Sequence, residues 1–191
     1  MRFVAVFLLA TFAGLTQDAK PVAMTTPIAA MPCVSGPPIA PQSFTNLEGR
    51  FDSALSSLND KDRVDLLGGT RALYLRDYGL TMTAEISLVQ TAPISPFKKE
   101  ITAAEKAAVH QRKIEQLPRL KKAMREMVNV AALTLAGAVG IEKVDGSGLQ
   151  VVVSVKVLYL PWEDTTGLPG QVVMKADLKH AIAGQIGEEV Q

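Results

Sequence analysis

The chain has 191 residues, with 20 Lys and Arg against 19 Asp and Glu and a formal net charge of +1. That balance argues against a general polyanion binder, and the single cysteine, Cys33, excludes an internal disulfide framework. Stability therefore has to come from a hydrophobic core.

The opening run MRFVAVFLLATFAGLTQDAKPVA reads as an export signal. Arg2 supplies a minimal basic region, and Phe3 to Leu15 form an uncharged apolar stretch too short for a comfortable membrane span. Residues 1–19 are expected to be a signal peptide, with Ala23 and Ala30 as other cleavage positions and a retained anchor as the alternative. Residues 20–42 hold prolines 21, 27, 32, 37, 38 and 41, which remove amide donors and disfavour helix in the residue before each. An extended or disordered tether is expected there, with Cys33 as a free thiol outside any lipobox. The folded domain is expected over 43–187, with 188–191 as a tail.

In SFTNLEGRFDSALSSLNDKD, Thr45 and Glu48 have capping-box spacing, and Leu47, Phe51, Leu55 and Leu58 recur at helical intervals. A short amphipathic helix ending near Asn59 follows. The period then changes. Leu80, Met82, Ala84, Ile86 and Leu88 alternate with polar residues, so they predict a strand with one buried face. TRALYLR reads as its partner in a hairpin, with RDYG as the turn.

Pro93 and Pro96 end this sheet segment, and Thr102 with Glu105 gives a second capping-box pattern. A long helical region runs from there to about Ala138, and Pro118 is expected to kink it or start a second helix. Beyond Pro118, the residues Leu120, Met124, Met127, Val128, Ala131 and Leu135 form an apolar stripe. Before it the stripe is poorer, because Lys106 and Lys113 intrude. DGSG is a turn, LQVVVSVKVLYL and QVVMKAD are strands, and LKHAIAGQIG closes with a short helix. The expected fold is α+β: a four-stranded, mainly antiparallel sheet of two hairpins, with the long Pro-interrupted helix on one face and short flanking helices.

Two constellations are candidates for function. The loop LYLPWEDTTGLPG holds the only tryptophan, Trp162, beside Glu163 and Asp164. Its simplest reading is a connection between strands with Trp162 covering the sheet edge, and the functional alternative is a recognition surface anchored by the aromatic ring. A cation site is less well supported, because the loop lacks EF-hand ligand spacing. Residues 98–125 carry nine Lys and Arg against three Glu, a net +6. Arg119, Lys121, Lys122 and Arg125 in this run suggest contact with an anionic surface or an acidic envelope protein, against the plainer reading of a solvated helix face.

Catalytic and metal motifs are missing from the sequence. His110 and His180 have no second ligand at metal spacing, and no nucleophile elbow, phosphate loop or dinucleotide glycine pattern occurs. We expect no cofactor, no bound metal and no nucleic-acid partner. The segments LYLRDYGLTMTAEISLV, HQRKIEQLPRLKKAMREMV and YLPWEDTTGLPGQVVM resemble uncharacterised exported bacterial proteins, a resemblance that implies export and a single domain but no activity. The reading is an exported bacterial binding or interaction domain, periplasmic or secreted. The alternatives are an envelope hydrolase or metal-assisted enzyme built on Glu163, Asp164 or Glu85, and a self-associating structural protein.

Overall fold

The computed structural model describes residues 39–90, 100–140, 144 and 148–191. The expected signal peptide, Cys33, most of the tether, Pro93, Pro96, Lys98, Lys99 and most of the DGSG turn lie outside the described residues. The chain divides into two units, Met1–Ser35 and Gly36–Gln191, and all that follows concerns the second.

Helix α1 (Pro41–Ser56) begins four residues before the expected Thr45 cap and ends before Asn59. Ala40 is its N-cap and Pro41 its first residue, a position where the missing N–H costs nothing. Thr45 and Glu48 are therefore interior residues and form no capping box. Glu48 instead accepts the Ala72 amide at 2.8 Å, and Asp52 accepts the Thr70 amide at 2.9 Å. The helix thus covers outward-facing donors at an edge of the sheet, a role invisible to local spacing. It takes in the last two residues of the expected tether.

The first hairpin forms where the alternation places it. Strand β2 (Arg71–Leu75) pairs antiparallel with β3 (Gly79–Ser87), and the two-residue β1 (Asp65–Leu66) pairs with the far end of β3. Gly79 starts β3 at φ +129°, and a side chain there would collide with the backbone carbonyl of Gln150, so only glycine fits.

Helix α2 (Ala103–Val139) opens with the expected capping box between Thr102 and Glu105. It is one continuous helix of 37 residues with Pro118 inside it, so of the two expected outcomes, a kink or a second helix, the second helix does not form. Pro118 faces outward, while Val109, Lys113 and Gln116 before it and Leu120, Met124 and Met127 after it are all buried. Anchorage on both sides offsets the one hydrogen bond that the proline removes.

Strand β4 (Gln150–Val157) then lies parallel to β3, β5 (Gln171–Asp177) returns antiparallel, and α3 (Leu178–Ile182) leads to β6 (Gly187–Val190). The fold is thus α+β, but the expected four-stranded sheet of two hairpins is a mixed six-stranded one in the order β1-β3-β4-β5-β6, with β2 also on β3. The helical crossover through α2 brings the chain back in the same direction, so the two hairpins join through a parallel pair. Strand β6 takes in Glu188 to Val190, residues expected to be part of a tail. It and β1 are too short for an alternating pattern to register.

Register places Leu80, Met82, Ala84 and Ile86 beside Val151, Val153, Val155 and Val157, and the middle two of these beside Met174 and Val172. These side chains share one core with Phe51 of α1, Leu120, Met124 and Leu135 of α2, and Leu178 of α3, so all three helices pack on one face of the sheet. Thr83, Glu85, Lys156 and Lys175 stand exposed on the other.

Candidate functional site

The loop after β4 is pinned down, by contacts that begin with its own backbone. Leu160 C=O accepts the Glu163 amide at 3.0 Å, Asp164 accepts the Thr166 amide at 2.9 Å, and the Tyr159 hydroxyl donates to Pro169 C=O at 2.7 Å. These bonds turn Glu163 inward. Its Oε2 accepts from the Leu160 amide at 3.1 Å and from Lys113 Nζ at 2.5 Å. The Lys113 and Glu163 side chains are 0 % and 2 % exposed, a dry ion pair, and the ammonium also lies 4.8 Å from the centre of the Tyr159 ring. Burial, with the Glu163 charge second, pushes the Tyr159 hydroxyl up to about 12.

Neighbouring contacts extend the junction. His110 Nδ1 donates to Asp164 C=O at 2.9 Å. One turn beyond Lys113, Gln116 donates to Asp62 C=O at 2.7 Å, and Arg112 pairs with the Asp62 carboxylate at 2.9 Å. Glu163 Oε1, Trp162 Nε1 and Gln116 Oε1 are buried without a hydrogen-bond partner, which is uncommon for three polar atoms at one junction. Asp164 itself is exposed, and its hydrogen bonds from Thr166 hold its carboxyl below the usual range.

Lys113 is the residue that sequence reasoning misjudged. It does not spoil the apolar stripe of α2 but completes it, because Glu163 arrives from 50 positions away to neutralise it. The signal was present as a lysine in register with Val109, Gln116 and Leu120, on a face that the pattern required to be buried. Its counter-charge was not inferable from spacing.

The basic residues divide. Lys121 and Arg125 both engage Glu188 of β6, at 2.6 and 2.8 Å, and hold its carboxyl below its ordinary value. Arg119 is exposed, and Lys122 is exposed with only a loose 4.0 Å approach to Glu126. Lys121 and Arg125 thus share one carboxylate and fasten the edge strand, while Arg119 and Lys122 have no side-chain partner nearer than 4.0 Å among the described residues.

Glu85 lies on the sheet face away from the helices, 3.5 Å from Lys156, so it does not converge with Glu163 and Asp164. His180 pairs with Asp177 at 3.3 Å, apart from both. No family model, curated protein or solved structure matches this chain. Among the described residues no group of three or more His, Cys, Asp or Glu is arranged to hold a metal, and no helix is long and apolar enough to cross a membrane. The helix-free face of the sheet carries a hollow of about 440 Å³ between the Gly68–Gly69 bulge and the side chains of β3, β4 and β5.

Proposed function

We propose that the protein is an exported bacterial binding domain that engages an envelope protein through the Trp162 loop and exposed basic residues of α2. The observation that carries this reading is the buried Lys113–Glu163 pair. It fixes the loop on the helix while Leu160, Pro161 and Thr165 to Gly167 stay exposed. A loop held in one conformation loses little entropy on association, which is the requirement for a recognition element. Arg119 and Lys122 add positive charge without an internal commitment, and they favour an acidic partner surface.

The dispersal of the carboxylates favours binding over catalysis. Glu163 is occupied by its ion pair, Asp164 faces solvent and Glu85 stands on the opposite side of the sheet. Acid–base chemistry needs such groups around one substrate position. Export follows from the character of residues 1–19 and is tested by cell fractionation, in which retention in the cytoplasm refutes it.

Photo-crosslinking residues placed at Leu160 and Lys122, with Ser53 on the outer side of α1 as control, test the contact surface. A discrete adduct formed from Leu160 and Lys122 but not from Ser53 is the expected result. Equal labelling at all three positions, or none at Leu160, overturns the assignment.

A further inference from the structure

The hollow on the helix-free face lies on the side of the sheet opposite the α2 face against which Glu163 is anchored, and its chemistry is distinct. Register sets Arg71 beside Thr83 and Thr83 beside Ser154, in a row across three strands of its floor. Arg71 is exposed and has no hydrogen-bond or ion-pair partner among the described residues. The Thr83 hydroxyl is also without a partner there. Ser154 accepts from Gln171 Nε2 at 2.7 Å, which leaves its own proton to donate. The second cation of the hollow, Lys156, is 3.5 Å from Glu85 and offsets it. The wall is the Gly68–Gly69 bulge, whose amides donate to no protein acceptor among the described residues.

We propose that this hollow binds a carboxylate. Its free groups include a guanidinium, two hydroxyls and bulge amides, donors suited to a ligand atom that only accepts. The charge of its lining, from Arg71, Lys156 and Glu85, is +1. A monoanion balances that charge, whereas a phosphate dianion overshoots it and meets Glu85. The volume of about 440 Å³ suits a small acid or the last residues of a peptide chain. Arg71 is the anchor because its fork meets both carboxylate oxygens at once.

Nuclear magnetic resonance on the full chain tests this with acetate, inorganic phosphate, and trialanine carrying either a free or an amidated C-terminus. Saturable shifts at the Gly68 and Gly69 amides and at Arg71 Nε are expected with acetate and with free trialanine. Tighter binding of trialanine than of acetate identifies a chain terminus as the occupant, and the reverse identifies a small free acid. Arg71→Gln should weaken binding by about tenfold or more, because it removes the bidentate charged contact. Glu85→Gln should strengthen it, and Lys61→Gln, exposed and outside the hollow, should leave it unchanged. The opposite signs at Arg71 and Glu85 separate a charge-reading site from loss of fold. Absence of saturable shifts, tighter binding of phosphate than of carboxylate, or equal affinity in Arg71→Gln and Glu85→Gln overturns the proposal.

Discussion

Replacing Lys113 with Met keeps most of the aliphatic stem inside the domain and removes the ammonium. Glu163 then remains 2 % exposed with the Leu160 amide as its one hydrogen-bond donor. Removing one partner of a buried pair costs about 3–5 kcal/mol, because the other charge stays desolvated. The loop can lift to rehydrate Glu163, which sets the expectation at the lower end, about 3 kcal/mol. For a domain of this size that loss lowers the midpoint of thermal unfolding by about 6–12 °C.

Lys113→Met with Glu163→Gln removes both charges and keeps an acceptor for Leu160. It should recover most of the loss, with a coupling energy of about 2–3 kcal/mol in the double-mutant cycle. Urea unfolding followed by circular dichroism measures the global change. The fluorescence of Trp162, the only tryptophan, reports the loop beside Glu163. Each single variant losing less than about 1 kcal/mol, or a double variant equal to the sum of the two, refutes the view that this pair pins the loop.

Pro118→Ala restores an amide donor inside α2 at an exposed position, and should stabilise the domain by about 1–2 kcal/mol after the gain in unfolded-chain entropy is subtracted. An unchanged urea midpoint would show that the helix had already relaxed around the proline. Gly79→Ala meets both the positive φ and the Gln150 backbone. It should cost more than about 3 kcal/mol or prevent folding, and a soluble variant of normal midpoint contradicts the close approach of β3 to β4. Glu188→Gln weakens the hold of Lys121 and Arg125 on β6, so faster amide exchange at Val173 and Lys175 is expected with little change in global stability. Because the folded Glu188 carboxyl sits below its ordinary 4.5, its contribution is complete above that pH and is lost as pH falls through the lower folded value. Wild-type protection of β6 should therefore fade on acidification below about 4.5, and an acid-independent edge would remove this role.

What could be read without the structure was whatever the chain encodes within about ten residues of itself. The two-residue alternation of Leu80 to Leu88 and of Val151 to Val157 places both central strands, and Thr102 with Glu105 marks where α2 begins. Side-chain period and capping are local effects, so they survive in the sequence as pattern. The same local logic erred at Thr45 and Glu48, where the capping-box spacing is met but the carboxylate is used 24 residues away, on the Ala72 amide.

The candidate site residues were the hardest to read, because their contacts depend on partners brought from afar. Glu163 and Trp162 stood out by composition, yet nothing in their loop indicated that Lys113 would arrive from a helix to neutralise the carboxylate. Lys121 and Arg125 looked like a free basic surface until β6 placed Glu188 between them. Arg71, Thr83 and Ser154 read only as polar positions of three separate strands, since they meet only through register. By itself the sequence determined the α+β class and the places of the main helix and of strands β2 to β5. Tertiary structure alone decided the parallel join of the hairpins, the continuity of α2 through Pro118, and which charges are committed and which remain free. Charge pairing and strand register are through-space properties, set by where distant segments meet once the core has closed.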